Sequence, residues 1–462
     1  MTHTNNAQNS NNVPRVLLAP LRSALIAGHA QKLPVLIRTQ APDAPETRDR
    51  ERPPYHLALV IDRSGSMSGE PLHEARRCAR HIVDHLRPDD RASLVQFDDR
   101  VDVLVAAMPV GDGKALRQAL DIIHEGGSTD LHGGWEAGAQ GLLEHARQAG
   151  LSRVILLSDG NANRGLDDPE AIVGHCRQFA DQGITTSTYG LGHQFNEDLM
   201  VAMAKAGQGN HYYGETAQDL FEPFAEEFDL LTHLYARDVR LSLGTPTGIS
   251  ASLLNDYTVE DQRGYPVIRL PDLAWGAEAW ALVELQLPTP PEGSTPTPLL
   301  QVEVAAIDLD GQPIAFAQAQ LKLPALPGQA WEALAADPLV QQRQMELEAG
   351  QLLDEARMAA RRGDWDTIQH LLQLAQQRFA DSPWVQQVLH SMAELAARHD
   401  QARFAKEARY SSRRMNSRLS SKAEATGLSA EANLPAFLRR KSAQGKAQFR
   451  KGPDDGNIPP KP

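Results

Sequence analysis

The sequence predicts an α/β unit with a doubly wound, mostly parallel sheet that is inserted into a β-sandwich and followed by a C-terminal helical region. Three observations support this prediction. Short apolar runs alternate with amphipathic helical segments over 55–232, strand-like runs with period two fill 233–326, and helical spacing dominates 327–420. A chain of 462 residues is also long enough for two or three domains of roughly 150 residues each.

The first 54 residues divide into a polar start and three strand-like runs. Residues 1–12 are polar, without an apolar segment, which predicts a disordered N-terminus without a targeting sequence. The runs VLLAP, SALIAG and LPVLIR within 13–54 have no place in the α/β unit. We therefore expect these strands to belong to the sandwich, which makes the α/β unit an insertion.

The α/β unit begins with the strand LALVI, and a helix over 71–86 follows it with apolar residues at helical spacing. The next two strands, ASLVQF and VDVLVA, are separated only by Asp98, Asp99 and Arg100, too few residues for a parallel crossover. They are predicted to form a hairpin with one antiparallel edge strand. The remaining helices are expected at 112–124, 132–149, 168–182, 196–206 and 217–232, alternating with the strands VILLS, TTSTYG and NHYY.

The C-terminal third changes character at about residue 327. Helices over 327–420 are interrupted at Gly363 and at 381–383, where Ser382 is a predicted N-cap and Pro383 a first helical residue. Helical hairpins similar to tetratricopeptide repeats are one arrangement for this region, although no second copy of a motif is detectable. Residues 421–462 are predicted to form a basic, mostly disordered tail.

Charge and cysteine content narrow the functional classes. The net charge of −13 argues against a nucleic-acid-binding protein, although residues from 401 onward carry fourteen Lys and Arg against five Asp and Glu. Nucleic acid or an anionic membrane could bind that tail, but a solvated or partner-docking tail is favoured. Two cysteines cannot form a disulfide framework, and no apolar run reaches the length of a membrane span, so a cytoplasmic protein is expected.

The segment DRSGSMSG, which follows the first strand, allows two interpretations. One is a hydrolase nucleophile at Ser68, between Gly65 and Gly69. A nucleophile elbow needs its serine on the turn directly after the strand, whereas the apolar strand ends seven residues earlier. A hydrolase also needs a histidine on a later loop, for which only His193 is a candidate.

The other interpretation is a metal site at the edge of the sheet where the parallel strands end, which we call the rim. Tracing the strand directions brings three separate loops to the rim. Their oxygen-bearing side chains are Asp62, Ser64, Ser66, Thr129 and Asp159. Two carboxylates and three hydroxyls suit Mg²⁺ or Mn²⁺ and lack the soft ligands that zinc prefers. Because hydroxyls are neutral ligands, the ion would stay electrophilic and could accept an acidic residue of a partner.

The motifs DRSGSMSG, GGSTDLHGG and LLSDGNAN, in this order, resemble the metal-ion-dependent adhesion site (MIDAS) of von Willebrand factor A domains. The resemblance implies a doubly wound sheet with one antiparallel edge, a bound divalent cation and a partner carboxylate that completes its coordination. It implies that Ser64, Ser66 and Thr129 contact the metal directly and that Asp62 and Asp159 act partly through water. The chain also resembles bacterial members in which such a domain lies within a β-sandwich followed by helices.

These observations predict a non-enzymatic, cation-dependent adaptor that binds a protein partner, for which the resemblance suggests an ATPase, a kinase or a transport component. The last helix of the α/β unit is expected to transmit binding to the sandwich. The residues expected to contact the partner lie around the rim: Met67, Glu70, Asp98, Arg100, His132, Asn161, Asn163, Arg164 and His193.

Three further interpretations remain open. The protein could be a hydrolase that uses Ser68 or a metal-activated water, or a scaffold with a purely structural metal. Cys78, His81 and His85 share one helical face that could bind zinc, although a core cysteine with two flanking histidines is favoured.

Overall fold

The structure is a computed structural model. It describes residues 13–44, 52–146, 149–191, 196–214, 217–262, 265–291, 296, 298–422, 424 and 434–440. The predicted disordered segment 1–12 and most of the predicted basic tail therefore lie outside the described residues. Within them, no helix combines the length and the hydropathy needed to cross a membrane.

The chain begins with three strands of the sandwich and then enters the α/β unit. The first three strands are β1 (Arg15–Pro20), β2 (Leu25–Ile26) and β3 (Gln31–Gln40). The strands of the α/β unit are β4 (Tyr55–Asp62), β5 (Arg91–Phe97), β6 (Val101–Pro109), β7 (Leu151–Ser158), β8 (Ile184–Leu191) and β9 (Gln208–Gly214). Its helices are α1 (Glu70–His85), α2 (Lys114–Asp121), α3 (Leu131–Gln140), α4 (Pro169–Asp181), α5 (Glu197–Ala206) and α6 (Ala217–Thr232).

The sheet of this unit has the order β6-β5-β4-β7-β8-β9, and every neighbouring pair is parallel except β5 and β6. The predicted hairpin with its antiparallel edge strand is thus confirmed. β4 and β7 are buried at every position because helices cover both faces of the sheet. Leu57 and Leu59 face the core beneath α1, and Ala58 and Val60 face the core beneath α3.

Two helices are shorter than predicted. α2 begins at Lys114 because Gly113, with φ of 71°, breaks the helical path before it. α3 ends at Gln140 instead of reaching 149, and turns follow up to residue 146. Its sequence holds glycines at 133, 134, 138 and 141, which lower the helix propensity of this segment.

The sandwich is completed by strands that follow the α/β unit. They are β10 (Leu234–Gly244), β11 (Ser250–Leu253), β12 (Val259–Gln262), β13 (Tyr265–Arg269), β14 (Leu273–Ala274), β15 (Ala277–Leu287), β16 (Pro298–Ile307), β17 (Pro313–Ala315), β18 (Ala319–Lys322) and β19 (Ala325–Leu326). One sheet has the order β1-β3-β15-β11, and the other has the order β12-β13-β10-β16-β17 with β14 on β10 and β18 on β16. Because β3 pairs with β15 along its whole length, strands from both sides of the α/β unit share one sheet. This pairing confirms the predicted insertion.

The C-terminal region is helical, as predicted. Its elements are α7 (Gly328–Glu332), α8 (Pro338–Arg361), α9 (Trp365–Arg378), α10 (Pro383–Ala397) and α11 (Gln401–Ser417), followed by the short strand β20 (Ser420–Ser421), which pairs with β15. The helix breaks fall at Gly363 and before Pro383, although the Ser382 side chain makes no capping hydrogen bond. α8 and α11 pack extensively on each other. This packing differs from a tetratricopeptide array, in which each repeat contacts only its neighbours.

Part of the predicted disordered tail is ordered. A short 3₁₀ helix, Ala436–Leu438, lies beside α6, and the side chains of Phe437 and Leu438 are buried in the sandwich core. The hydrophobic effect explains this order, because packing here removes two large apolar side chains from solvent.

The helical region is fixed to the sandwich by the outer face of the first sheet. Trp280 and Leu282 of β15 are buried against Val340 and Leu347 of α8. The buried guanidinium of Arg343 lies 4.6 Å from the ring centroid of Trp280 and donates to Glu346.

A buried ion pair joins the α/β unit to the sandwich. Arg153 of β7 donates to Glu227 of α6 and lies 3.3 Å from Asp272, in the segment between β13 and β14. Glu227 is fully buried and also accepts from Ser187 at 2.8 Å, Asn210 at 2.6 Å and Tyr212 at 3.1 Å. The carboxylate is therefore well satisfied, as a buried charge must be.

We predict that Glu227→Gln lowers the free energy of unfolding by about 3 kcal/mol or more, because it leaves the buried Arg153 without its main counter-charge. Urea unfolding followed by far-UV circular dichroism measures this loss. Asp121→Asn, which breaks the exposed Arg80–Asp121 pair, is the matched control and should cost about 0–1 kcal/mol. Equal losses in both variants would contradict the assigned role of Glu227.

Candidate metal centre

Asp62 is the last residue of β4 and the centre of the candidate site. It is fully buried, and its carboxylate accepts hydrogen bonds from the backbone N–H of Ser64 at 2.9 Å and from the hydroxyl of Ser158 at 2.6 Å. Ser158 is the last residue of β7, next to β4 in the sheet, so the ends of two central strands meet at this carboxylate. Sequence reasoning missed Ser158, although its place directly before Asp159 was a usable signal.

The hydroxyls of Ser64 and Ser66 lie close together on the turn after β4. Their oxygens are 3.2 Å apart, and the residues from Gly65 to Met67 form a short 3₁₀ helix. Ser64 is buried, whereas Ser66 is exposed. The hydroxyl pair therefore connects the buried carboxylate of Asp62 with solvent at the rim.

Backbone hydrogen bonds hold the second loop beside this turn. The N–H of Gly65 donates to the carbonyl of Gly127 at 2.8 Å, and the N–H of Gly126 donates to the carbonyl of Arg63 at 2.7 Å. The loop before α3 is thus bonded to the loop after β4 in both directions, which brings the segment carrying Thr129 to the same rim.

Thr129 is buried and is tied to the third loop. Its N–H donates to the side-chain oxygen of Asn163 at 2.8 Å, and its carbonyl accepts from the N–H groups of Asn163 and Arg164 at 3.1 Å each. Asp159 begins that third loop, and its carboxylate accepts from the N–H of Asn161 at 3.1 Å. The structure therefore joins the three predicted loops through hydrogen bonds.

The electrostatics of the site favour a cation. Burial raises the pKa of Asp62 to about 6, hydrogen bonds from Ser158 and Ser64 oppose this shift, and the charge of Asp159 adds to it. Within the part of the chain that the structure describes, neither Asp62 nor Asp159 has an ion pair with a lysine or arginine. Two neighbouring carboxylates, largely buried and without a counter-charge, fit a divalent cation, which would reverse the unfavourable desolvation.

The predicted partner-contacting residues separate into two groups. Glu70, Arg100, Asn163 and Arg164 are exposed, and Asn161 is half-buried. Met67, Asp98 and His132, by contrast, are buried, so their side chains do not form part of the exposed rim. His193 lies in 192–195, outside the described residues.

The three buried residues have structural contacts instead. Met67 packs into the core beneath α1. The carboxylate of Asp98 accepts from the N–H groups of Arg100 at 2.9 Å and Gly127 at 3.2 Å, and it lies 2.9 Å from the guanidinium of Arg63. Asp98 thus connects the β5–β6 turn to two loops of the site, a role that its position in a polar turn did not reveal.

His132 belongs to a second group of possible metal-binding side chains. Its Nε2 lies 2.7 Å from Nδ1 of His175 on α4, and its Nδ1 lies 4.0 Å from the carboxylate of Glu136. One ligand atom from each of the three residues lies within 4.8 Å of the others. The hydrogen bond between the two imidazoles connects α3 to α4 at this point.

The structure does not support the hydrolase site at Ser68 or the zinc site at Cys78, His81 and His85. The hydroxyl of Ser68 donates to the exposed carboxylate of Glu125 at 3.3 Å, and Ser68 lies six residues beyond the end of β4. The residue midway between Gly65 and Gly69 is Met67, so the spacing of a nucleophile elbow is not met. Cys78 is buried in the core, and the His81 ring stacks on Phe221 at 4.8 Å, as expected for a core cysteine beside packed histidines.

A comparison with protein-family models matches residues 56–226 to the von Willebrand factor type A domain. This range covers the sheet and all three loops of the candidate centre. The α/β unit is a von Willebrand factor type A domain. Solved structures support the same fold for more of the chain. A von Willebrand factor type A protein from Catenulispora acidiphila has a TM-score of 0.67 at 16% identity, covering 84% of this chain and 90% of that one.

Two curated relatives match about half of the chain or less. The chain is 28% identical over 246 residues to protein sll0103 of Synechocystis sp., covering 51% of this chain and 58% of that protein. It is 28% identical over 202 residues to protein YfbK of Escherichia coli, covering 43% of this chain and 35% of that protein. The matches therefore span less than two thirds of these relatives. The ArnB paralog VWA2 of Sulfolobus acidocaldarius has a TM-score of 0.54 at 17% identity, covering 87% of this chain and 99% of that one.

We predict that Gly126→Ala destabilises the domain by about 1–3 kcal/mol, because a Cβ at this position would overlap the carboxylate of Asp98. Thermal unfolding measures the loss. Gly174→Ala is the matched control, because a Cβ there meets open space within α4, and it should stabilise by about 0.5–1 kcal/mol. An unchanged stability of Gly126→Ala would show that the loop is not held by Asp98 as described.

Proposed function

We propose that this protein is a non-enzymatic adaptor that binds an acidic residue of a partner protein through a divalent cation held at the MIDAS-like centre. The observation that carries the proposal is the pair of buried carboxylates, Asp62 and Asp159, which lie among hydroxyls at the rim without a basic partner among the described residues. Such a pair needs a cation to offset its desolvation.

The oxygen atoms of the candidate centre support a hard divalent cation. Ser64, Ser66 and Thr129 would bind Mg²⁺ or Mn²⁺ through their hydroxyls, and Asp62 and Asp159 would act partly through water. A cation with few directly bound carboxylates keeps a strong affinity for one further anionic oxygen, which the partner's acidic side chain supplies. Because Ser66 is exposed, that oxygen can approach from solvent.

Partner specificity would come from the exposed part of the rim. Arg100 and Arg164 can pair with acidic groups near the anchoring carboxylate, and Glu70 can reject surfaces of like charge. We further propose a cytoplasmic location, which the two unpaired, buried cysteines support. An ATPase, a kinase or a transport component is the partner class that the family resemblance suggests.

The ligand set disfavours hydrolysis. A metal-activated water needs a general base within reach. In the proposed site the direct ligands would be neutral hydroxyls, and the carboxylates of Asp62 and Asp159 already accept hydrogen bonds from neighbouring groups. Ester or phosphoester hydrolysis that is lost in Ser68→Ala but retained in Thr129→Ala would favour the hydrolase instead.

We predict that partner capture from a native extract depends on both the cation and Thr129. Immobilised wild type in Mg²⁺ should retain a partner protein. The captured amount of this partner, quantified by mass spectrometry, should fall at least tenfold in chelator or with Thr129→Ala. Ser128→Ala removes the neighbouring exposed hydroxyl and should capture like wild type. Replacing the partner's anchoring Asp or Glu by Ala should also abolish binding.

Equal capture in all four conditions, namely wild type in Mg²⁺, wild type in chelator, Thr129→Ala and Ser128→Ala, would contradict cation-dependent recognition. It would favour the scaffold with a structural metal.

A separate measurement tests whether the metal binds. Mg²⁺ should raise the unfolding temperature of wild type and of Ser128→Ala but not of Thr129→Ala, because only a folded, complete site binds the ion.

We predict that partner binding changes the protection of α6, which continues through His233 directly into β10 of the sandwich. Hydrogen exchange measured by mass spectrometry, with and without the captured partner in Mg²⁺, should show a difference at 217–232. α9, remote in sequence from the domain, is the internal control. Equal exchange in α6 in both states would exclude transmission through this helix.

A further inference from the structure

A cavity lies where the von Willebrand factor type A domain, the sandwich and α11 meet. Its volume is about 180 Å³, and its walls include residues of α5, β9, α6 and α11 and sandwich residues within 256–260 and 269–272. The lining residues include eight Lys and Arg against four Asp and Glu. This excess of basic side chains at a junction of three units distinguishes the cavity from the candidate metal centre, where two carboxylates lack a basic partner among the described residues.

Most of these basic side chains have a carboxylate partner. Six of the eight form ion pairs: Arg153, Lys205, Arg269, Arg409, Arg414 and Arg418. Of the remaining two, Arg177 is exposed. Arg413 is the exception within the cavity wall, because it has no carboxylate partner among the described residues.

The surroundings of Arg413 make this lack of a counter-charge costly. One nitrogen of its guanidinium, Nη2, donates to the carbonyl of Gly209 at 3.0 Å, whereas Nη1 is buried and has no hydrogen-bond partner in the described part of the chain. Desolvation, together with the charge of Arg409, lowers the pKa of Arg413 to about 10, so the side chain stays charged at neutral pH. A charged group with a buried, unpaired N–H is unfavourable unless something binds it.

Three neighbouring N–H donors are unsatisfied in the same way as Nη1 of Arg413. Nε2 of Gln208 and the Nε atoms of Arg409 and Arg414 are also buried, with no acceptor among the residues that the structure describes, and all three residues line the cavity. Gln208 has φ of 55°, an uncommon conformation for a residue other than glycine, directly before the Gly209 carbonyl that Arg413 contacts. The cavity wall thus offers a set of unsatisfied donors from two separate segments, β9 and α11.

We propose that this cavity binds a small oxyanion, namely inorganic phosphate or the phosphate group of a small metabolite, with Arg413 as its principal contact. An arginine fork presents paired N–H groups that match the oxygens of a phosphate, and several acceptor oxygens can satisfy several donors at once. Because α11 and β9 both contribute donors, the bound anion would hold the helical region against the domain. This inference does not depend on the proposed adaptor function.

Isothermal titration calorimetry tests the proposal with the full chain, freed of metal by dialysis so that phosphate cannot bind through a cation at the rim. The probes are inorganic phosphate and glycerol phosphate, each against chloride at equal ionic strength. Saturable binding of phosphate is expected, and tighter binding of glycerol phosphate would identify a metabolite as the source. If neither probe binds wild type at millimolar concentration, the proposal is overturned.

Arg413→Gln and the control Arg80→Gln separate a role of Arg413 in phosphate binding from a role in stability. Arg413→Gln should weaken phosphate binding by about tenfold or more, because it removes charge-assisted hydrogen bonds, without lowering the unfolding temperature in phosphate-free buffer. Arg80→Gln removes one positive charge from an exposed ion pair with Asp121, outside the cavity lining, and should bind phosphate like wild type. A lower unfolding temperature of Arg413→Gln in phosphate-free buffer, or unchanged phosphate binding, would overturn the assignment.

Hydrogen exchange gives the location independently. Phosphate should slow exchange in 208–214 and in α11 but not at the loops of the metal centre. Slowing that is confined to those loops would place the anion elsewhere and refute the cavity as its site.

Discussion

The buried pair of Arg153 and Glu227 is the interaction on which the arrangement of the molecule depends. The carboxylate of Glu227 accepts hydrogen bonds from side chains on β7, β8 and β9. These bonds attach α6 to three adjacent strands. Arg153 extends the same network to Asp272 in the sandwich. A buried charge is stable only when it is paired and hydrogen-bonded, so these elements can be displaced only together. The insertion is thereby oriented relative to the sandwich that encloses it.

The same strand connects this network to the candidate metal centre. β7 carries Arg153 near its start and delivers Ser158 and Asp159 at its end, about 20 Å away at the usual rise of an extended chain. Because β7 is buried throughout, this distance is spanned by a rigid element. At the rim the loops are then held by one another, through the Gly65–Gly127 and Gly126–Arg63 hydrogen bonds. The loops that carry the oxygen atoms of the candidate centre are therefore positioned by backbone contacts.

The C-terminal helices complete the molecule in a way that the domain alone does not suggest. α8 covers the outer face of the first sandwich sheet through Val340, Leu347 and Arg343. α11 packs along α8 and reaches β9 of the inserted domain through Arg413. The helical region therefore touches both partners of the insertion, and a ligand in the junction cavity would act on the domain and the helices together.

The sequence by itself determined the strand directions and which loops meet at the candidate site. Three residues between two strands allow only a hairpin, and helical crossovers place Asp62 and Asp159 at the same edge of a parallel sheet. Composition and spacing also indicated the insertion, since three early strands had no other partner.

The tertiary structure alone decided which polar residues are accessible and which charges are paired. Met67, Asp98 and His132 look like rim residues along the chain, but packing from α1, the loop at Gly126 and α4 buries them. Local sequence patterns also could not predict the α8–α11 packing or the burial of Phe437 and Leu438. They could not predict that Arg413 lacks a carboxylate partner among the described residues. The physical reason is the same in each case. Burial and ion pairing depend on groups that are distant in sequence, whereas strand periodicity and turn length are local properties.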